Sequence, residues 1–280
     1  MLLGARGYEP FCSVSVLGTI HALADASHSK TMSDLVADGK WKGELLFTLG
    51  KVAPPRYANF IGRYRDDPDA LVRTAVAAAL GLIDNGPVAV PVLIHILARN
   101  SRPEDFYVQW EASNSLIAVA KRKSPDGVRR RLVELFKEPN AMTVVLAARA
   151  LAATGDARGF EKLRELTAHA DRRVRQEAVL ALGDAADKGS RDAVIRRLTD
   201  DSVAVRASAI YALARIGGPS VVPALRTATD DALAHERQLE GRTQAGEKPD
   251  AIREKYGIGA FDLRETLQEA IGLAQDTKGR

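Results

Sequence analysis

Between residues 41 and 216 apolar and polar positions alternate so that apolar side chains return at the spacing of one helical face, several times over. With the first residue of "VRTAVAAALG" (72–81) as position zero, Val72, Val108, Thr143, Val174 and Val205 align, and Trp41 is a plausible earlier member. Four residues on come Leu45, Val76, Ala112, Ala147, Ala178 and Ala209. Eight residues on, every copy has leucine: Leu49, Leu80, Leu116, Leu151, Leu182 and Leu213. The residue just before that leucine is always small (Thr48, Ala79, Ser115, Ala150, Ala181, Ala212). Positions 0, 4, 7 and 8 share one face of a helix, so each copy predicts a helix with a buried stripe. The small residues predict close approach of a neighbouring helix.

Successive starts are 31, 36, 35, 31 and 31 residues apart. A steady period in this range marks a stack of repeats. Second helical segments are expected between the first ones, most clearly at Pro87–Arg99, Pro125–Lys137, Ala157–Ala168, Ser190–Thr199 and Pro219–Thr229. Proline in a first helical turn loses no intrahelical hydrogen bond. Gly155 and Gly217 fall where a left-handed C-cap is wanted, and Asp171 and Ser202 where side chains can cap free amides. Each repeat reads as helix, turn, helix, loop. One such hairpin cannot bury its own apolar face, whereas stacked copies share a continuous core. The expected fold is all-α: an α-solenoid (superhelix) of stacked antiparallel helix pairs, one domain over 1–280. Within it, opening helices are expected over 1–40 and core repeats over 41–230. A divergent C-terminal cap follows over 231–280, with a loop at 241–260.

Composition sharpens this picture. Apolar residues make up 46% and aromatics only 5%, so the core must be built from Ala, Leu, Val and Ile. Cys12 is the only cysteine, which excludes a disulfide framework and an all-thiolate metal site. Arg6, Glu9 and Pro10 interrupt the apolar run a signal peptide would need, and no stretch is apolar enough to span a membrane. A soluble protein of the reducing cytoplasm is expected. The net charge of +4 is uneven: −1 over 1–120, +7 over 121–215 and −2 over 216–280. A positive centre is a clue to partners.

The pattern D-x-x-V-R-x-x-A-x-x-A-L-G, carried by "DRRVRQEAVLALG" (171–183), "DPDALVRTAVAAALG" (67–81) and "DDSVAVRASAIYALARIG" (200–217), resembles HEAT repeats in the short form found in phycobilin lyase subunits and many bacterial proteins. It is weaker at Trp41, and at Thr143, where the arginine is missing. The resemblance covers about residues 40–230, with "FDLRETLQEAIGLAQ" (261–275) as a divergent closing repeat. It implies that second helices line a concave surface. It also implies that Arg73, Arg175 and Arg206, each following the repeat's first valine, pair with capping aspartates of adjacent repeats.

Breaks in a regular repeat are where function is added. "RNSRPEDFYVQWEA" (99–112) lengthens one loop and brings Phe106, Tyr107 and Trp110 together near Arg99 and Arg102. These rings either plug an irregular joint or anchor a partner. A Gly/Pro-rich excursion at 237–262 is either a surface loop or a partner-gripping arm. The basic group includes Arg129, Arg130, Arg131, Arg164, Arg196 and Arg197, together with Lys121, Arg122, Lys123, Arg172, Arg173 and Arg191. Arg130, Arg164 and Arg197 fall at similar places in successive second helices. They are either a solvated face balanced by nearby acids or a groove for acidic protein segments or phosphates.

Catalytic chemistry finds little footing. The five histidines sit in unrelated settings, with no phosphate-binding glycine loop and no metal-spaced cluster. His235–Glu236 is one His-Glu pair, where the HEAT-repeat deoxyhypusine hydroxylases need several for a di-iron centre. HEAT-like glycosylases for alkylated bases are similar in scale, but no catalytic aspartate matches by motif. A phycobilin lyase subunit is supported by repeat type alone. The expectation is a non-enzymatic scaffold without cofactor or metal. It binds an acidic protein surface through the six arginines from Arg129 to Arg197 and through Phe106, Tyr107 and Trp110. Nucleic acid is the lesser alternative, and no membrane is involved.

Overall fold

The apolar stripe of each repeat becomes a seam between neighbouring helices in the computed structural model, which describes residues 24–39, 41–122, 125–218 and 221–228 with Asp230 and Ile271. All regular structure among the described residues is helical. The chain forms two compact units, Met1–Arg131 and Leu132–Arg280. The first unit holds α1 (Ser29–Ala37), α2 (Lys42–Val52), α3 (Ala58–Gly62), α4 (Ala70–Leu82), α5 (Gly86–Arg99) and α6 (Phe106–Arg122). Helix α7 (Pro125–Glu134), prolonged by a 3₁₀ turn at Leu135–Lys137, crosses the boundary. The second unit continues with α8 (Ala141–Ala152), α9 (Ala157–Leu166), α10 (Arg172–Asp184), α11 (Arg191–Ile195) and its 3₁₀ extension Arg196–Thr199, and α12 (Val203–Ile216). Residues 221–228 are helical as well.

First helices pack side by side: α2 on α4 and α4 on α6 in one unit, α8 on α10 and α10 on α12 in the other. Second helices cover them, α5 against α4 and α6, α9 against α8 and α10. The fold is an all-α solenoid of stacked helix pairs. All six position-eight leucines are fully buried, each contributing about 1.5–3 kcal/mol relative to exposure. Three of the small residues before them meet glycines of the preceding first helix. A Cβ added at Gly50 would lie 2.6 Å from Ala79 Cβ, at Gly81 2.7 Å from Ser115 Cβ, and at Gly183 2.6 Å from Ala212 Cα. In these three copies the glycine after the position-eight leucine therefore seats the small residue of the next first helix, and the leucine-glycine pair is a packing device.

Three local expectations need correction. Trp41 does not occupy a buried position zero: α2 starts only at Lys42, and Trp41 stands at its N-cap with φ 45° and 46% exposure. Leu45, Thr48 and Leu49 are nevertheless buried as the register requires. The late start follows from Gly39, at φ 82°, which turns the chain just ahead. Ser202 makes no side-chain cap; Asp200 Oδ1 accepts the Ser202 amide instead at 3.0 Å, while Asp171 does cap α10. A short second helix, α3, follows a 3₁₀ turn at Pro55–Tyr57 where none was expected, because its five residues are too few to show a period.

Gly155 and Gly217 both have a positive φ, 77° and 66°, though ψ of −172° takes Gly217 out of the left-handed helical conformation expected there. The equivalent position after α10 is Ala186, which adopts φ 49° without a glycine's freedom. The segment before residue 24, Lys123, His235, the 237–262 excursion and the closing repeat apart from Ile271 lie outside the described residues.

Candidate functional site

A six-residue loop (100–105), closed by a 3₁₀ turn at Pro103–Asp105, delivers the chain into α6. The three aromatic residues therefore sit on the first two turns of a rigid helix rather than in the loop. The Phe106 and Tyr107 rings meet edge-on with centroids 5.7 Å apart, and Phe106 and Trp110 lie 5.9 Å apart at a tilt. Phe106 and Trp110 are half-buried, whereas Tyr107 is 65% exposed. Leu71 stands at the same register in α4, one residue before position zero, and is equally exposed. This edge of the first unit thus presents apolar side chains at the N-terminal ends of adjacent first helices.

Beside it lies a buried arginine node. Arg73 Nη1 donates to the carbonyls of Asp67 (2.7 Å) and Pro68 (2.9 Å), and Nε to Asn100 Oδ1 (2.7 Å). Its Nη2 reaches Asp105 of the next repeat, whose other oxygen accepts from Arg102 Nε at 2.8 Å. Burial pushes the Asp105 carboxyl up, but Arg102 and Arg73 outweigh it and hold the group below the usual carboxylate range.

The second unit builds the same node. Arg175 Nη1 donates to the carbonyls of His169 (3.0 Å) and Ala170 (2.9 Å), while Nε and Nη2 grip Asp200 in a two-point contact at 2.9 and 2.8 Å. Asp201 also pairs with Arg175, and Arg197 Nη1 approaches Asp200 at 3.3 Å. Burial pushes Asp200 up, yet the Arg175 hydrogen bonds and the Ser202 amide bring it down to about 2. Arg73 thus pairs, as expected, with the aspartate directly ahead of the next first helix, whereas Arg175 uses Asp200 and Asp201, which lie upstream of the N-cap residue Ser202. Arg206, the third such arginine, donates to the carbonyls of Asp200 and Asp201. The signal in the sequence was R-x-x-D, at 102–105 and 197–200, where one aspartate serves an arginine three residues back and another in the preceding repeat.

The basic residues expected to bind therefore divide. Arg164 Nη1 is held by Asp187 Oδ2 (3.1 Å) and Ser190 Oγ (3.3 Å), and Arg197 belongs to the node. Arg129 is half-buried on α7, where Arg130 and Arg131 are exposed; Arg196 is exposed on its 3₁₀ turn. Arg172 and Arg173, which open α10, are exposed too. Glu177 on α10 has a buried oxygen, Oε2, with no hydrogen-bond partner among the described residues, and burial pushes its carboxyl up.

Histidines contribute to turns and surface pairs. His28 closes a 3₁₀ turn with Asp25, and His95 Nε2 lies 2.7 Å from Asp66 Oδ1. Among the described residues no group of three or more His, Cys, Asp or Glu side chains could hold a metal ion. No described helix is long and apolar enough to cross a membrane.

The family model described as HEAT repeats matches residues 102–183 and 160–241, together half of the chain. No curated protein matches significantly. Similar solved structures include an engineered protein at 22% identity, covering 76% of this chain and 97% of its own (TM-score 0.39). A second engineered protein is 19% identical over 93% of this chain and 82% of its own (TM-score 0.40). Human deoxyhypusine hydroxylase is 16% identical over 92% of this chain and all of its own (TM-score 0.39).

Proposed function

The chain belongs to the HEAT-repeat family, and from that premise we propose that it is a non-enzymatic scaffold that binds an acidic surface of another protein. The observation that carries this reading is the exposed Tyr107, packed on half-buried Phe106 at the start of α6. A ring held by its neighbours on a rigid helix loses little freedom on binding, which suits an interface anchor. The cationic contribution would come from Arg129, Arg130, Arg131, Arg164, Arg196 and Arg197. Arg130 and Arg196 contribute most, because both are exposed.

The test is affinity capture from source lysate, with and without nuclease, comparing wild type with a Tyr107→Ala/Arg130→Glu variant. Both positions are exposed, so the melting temperature should not change. A protein recovered after nuclease and lost in the variant supports the reading. Recovery of nucleic acid, with proteins vanishing after nuclease, replaces it.

A further inference from the structure

Of the five large hydrophobic side chains exposed among the described residues, three mark the N-terminal ends of consecutive first helices: Trp41 (46%) before α2, Leu71 (65%) on α4 and Tyr107 (65%) on α6. Scattered apolar side chains at a surface need no explanation, but a row of them marks an interaction site. Direct contacts bridge the three ends. Lys42, next to Trp41, pairs with Asp67 at 3.2 Å, and a Cβ added at Gly43 would stand 3.8 Å from the Leu71 carbonyl oxygen. Arg73, two residues after Leu71, pairs with Asp105, two residues before Tyr107. Trp41 owes its exposure to its own backbone. At φ 45° it stands outside α2, whereas Val72 and Val108, at the same register of α4 and α6, are buried.

The charge left over at this edge is positive. Two turns, 63–69 and 100–105, lead into α4 and α6, and every acid in them is engaged. Asp66 meets Arg65 and His95, Asp67 meets Lys42, and Asp69 caps α4. Asp105 holds Arg73 and Arg102, and Arg102 also lies 3.5 Å from Glu104. Arg63 and Arg99, at the ends of the second helices α3 and α5, are exposed and have no partner among the described residues. Arg99 adjoins Asn100, whose Oδ1 accepts from Arg73 Nε at 2.7 Å, so residue 99 is fixed next to the node that joins α4 to α6.

We propose that the row of Trp41, Leu71 and Tyr107, with Arg99 supplying the charge, docks an extended acidic and apolar segment of a partner protein. The inference rests on the scaffold reading and deepens it at Tyr107: the unspent charge selects an acidic segment over a basic one, and the row sets its register. Helices packed side by side lie about 8–10 Å apart. A polyproline II chain advances about 9 Å per three-residue turn. It therefore offers each helix end an apolar side chain from every third residue, with acids between. A β-strand does not, because residues three apart point to opposite faces.

The test titrates the full chain by anisotropy with a fluorescein-labelled peptide repeating Leu-Pro-Glu. Parallel titrations use peptides repeating Leu-Pro-Lys or alternating Leu and Glu, and a labelled single-stranded oligothymidine. The Leu-Pro-Glu peptide should bind most tightly. Leu71→Ser/Tyr107→Ser should weaken it about tenfold, and Arg99→Ala should weaken it less and flatten its salt dependence. Melting temperatures should not change, since all three side chains are exposed. Equal binding of the Leu-Pro-Lys peptide would overturn the acidic assignment, and equal binding of the alternating peptide the three-residue register. Tighter binding of oligothymidine would replace the protein segment with a nucleic acid. Absence of Leu-Pro-Glu binding, or binding indifferent to Leu71→Ser/Tyr107→Ser, would overturn the row. The capture experiment separates the two readings. A protein recovered equally by wild type and by Leu71→Ser/Arg99→Ala keeps the scaffold and overturns the row, whereas no protein recovered by wild type overturns both.

Discussion

The arginine nodes of the two units are nearly the same object set in different surroundings. Arg73 and Arg175 each bind two carbonyls of the turn before their helix and then an aspartate of the next repeat. Each aspartate is shared with an arginine three residues before it, Arg102 or Arg197. The buried interior of the node tolerates little variation, because a desolvated guanidinium needs nearly all its donors satisfied. One residue before position zero the side chain faces water, and there the units part: Leu71 and Tyr107 in the first, Arg173 in the second. The same scaffold thus displays an apolar edge in one place and a cationic edge in another. Surface chemistry in this chain is set at a position the core does not constrain.

The comparison can be broken most severely at the seam. Gly50→Leu in the first unit and Gly183→Leu in the second would each drive a side chain into the neighbouring first helix. Each should cost upwards of about 3 kcal/mol in chemical denaturation, since overpacking against backbone cannot be relieved by a rotamer change. Comparable losses would show that both units use one packing device, whereas a mild effect in either would show that its helices can slide apart.

The nodes come next. Asp105→Ala and Asp200→Ala each strand a buried arginine and should cost about 3 kcal/mol. Asp200 adds a pH signature. Its folded pKa of about 2 lies below the ordinary carboxyl value of 3.8, so its contribution is complete above about pH 4 and disappears as pH falls through 2. That difference corresponds to about 2 kcal/mol. Melting followed from pH 5 to pH 2 should show a shallower acid decline in Asp200→Asn than in wild type. An unchanged slope would mean that Asp200 is not held by Arg175 in solution.

Glu177 runs in the opposite direction, because burial raises its pKa and disfavours the charged form in the fold. Stability linked to it is present at low pH and lost as pH rises, so Glu177→Gln should raise the melting temperature at pH 8 and leave it unchanged at pH 4. Equal effects at both would locate the gain elsewhere. The smallest effect is expected at Ala186, left-handed where the repeats on either side have glycine. Ala186→Gly should stabilise by about 1 kcal/mol, visible as a small rise in denaturation midpoint. Destabilisation would show that the alanine methyl packs usefully.

Much of the fold could be read from residue order because a stacked repeat restates the same local rule. A leucine every turn of the stack, a small residue before it and a polar cap ahead of the helix repeat often enough to be recognised, even where Thr143 replaces valine and no arginine follows. Helix α3 escaped because five residues carry no period, and Trp41 misled because its neighbours obeyed the register while its own backbone did not. The aromatic site was equally legible: Phe106, Tyr107 and Trp110 lie within five residues, and one helix suffices to gather them.

The arginines were not legible in this way. Composition and pattern determined that the centre of the chain is basic and that its first helices share a buried face, since both depend on residues close in sequence. Which cations are free depended on acceptors far along the chain. Asp187 is 23 residues from Arg164, and Asp200 is 25 from Arg175. An ion pair forms where two side chains meet in space, and a one-dimensional pattern records only that both exist. The tertiary structure alone placed Arg164 against Asp187 and Arg175 against Asp200, and left Arg172, Arg173 and Arg196 facing water.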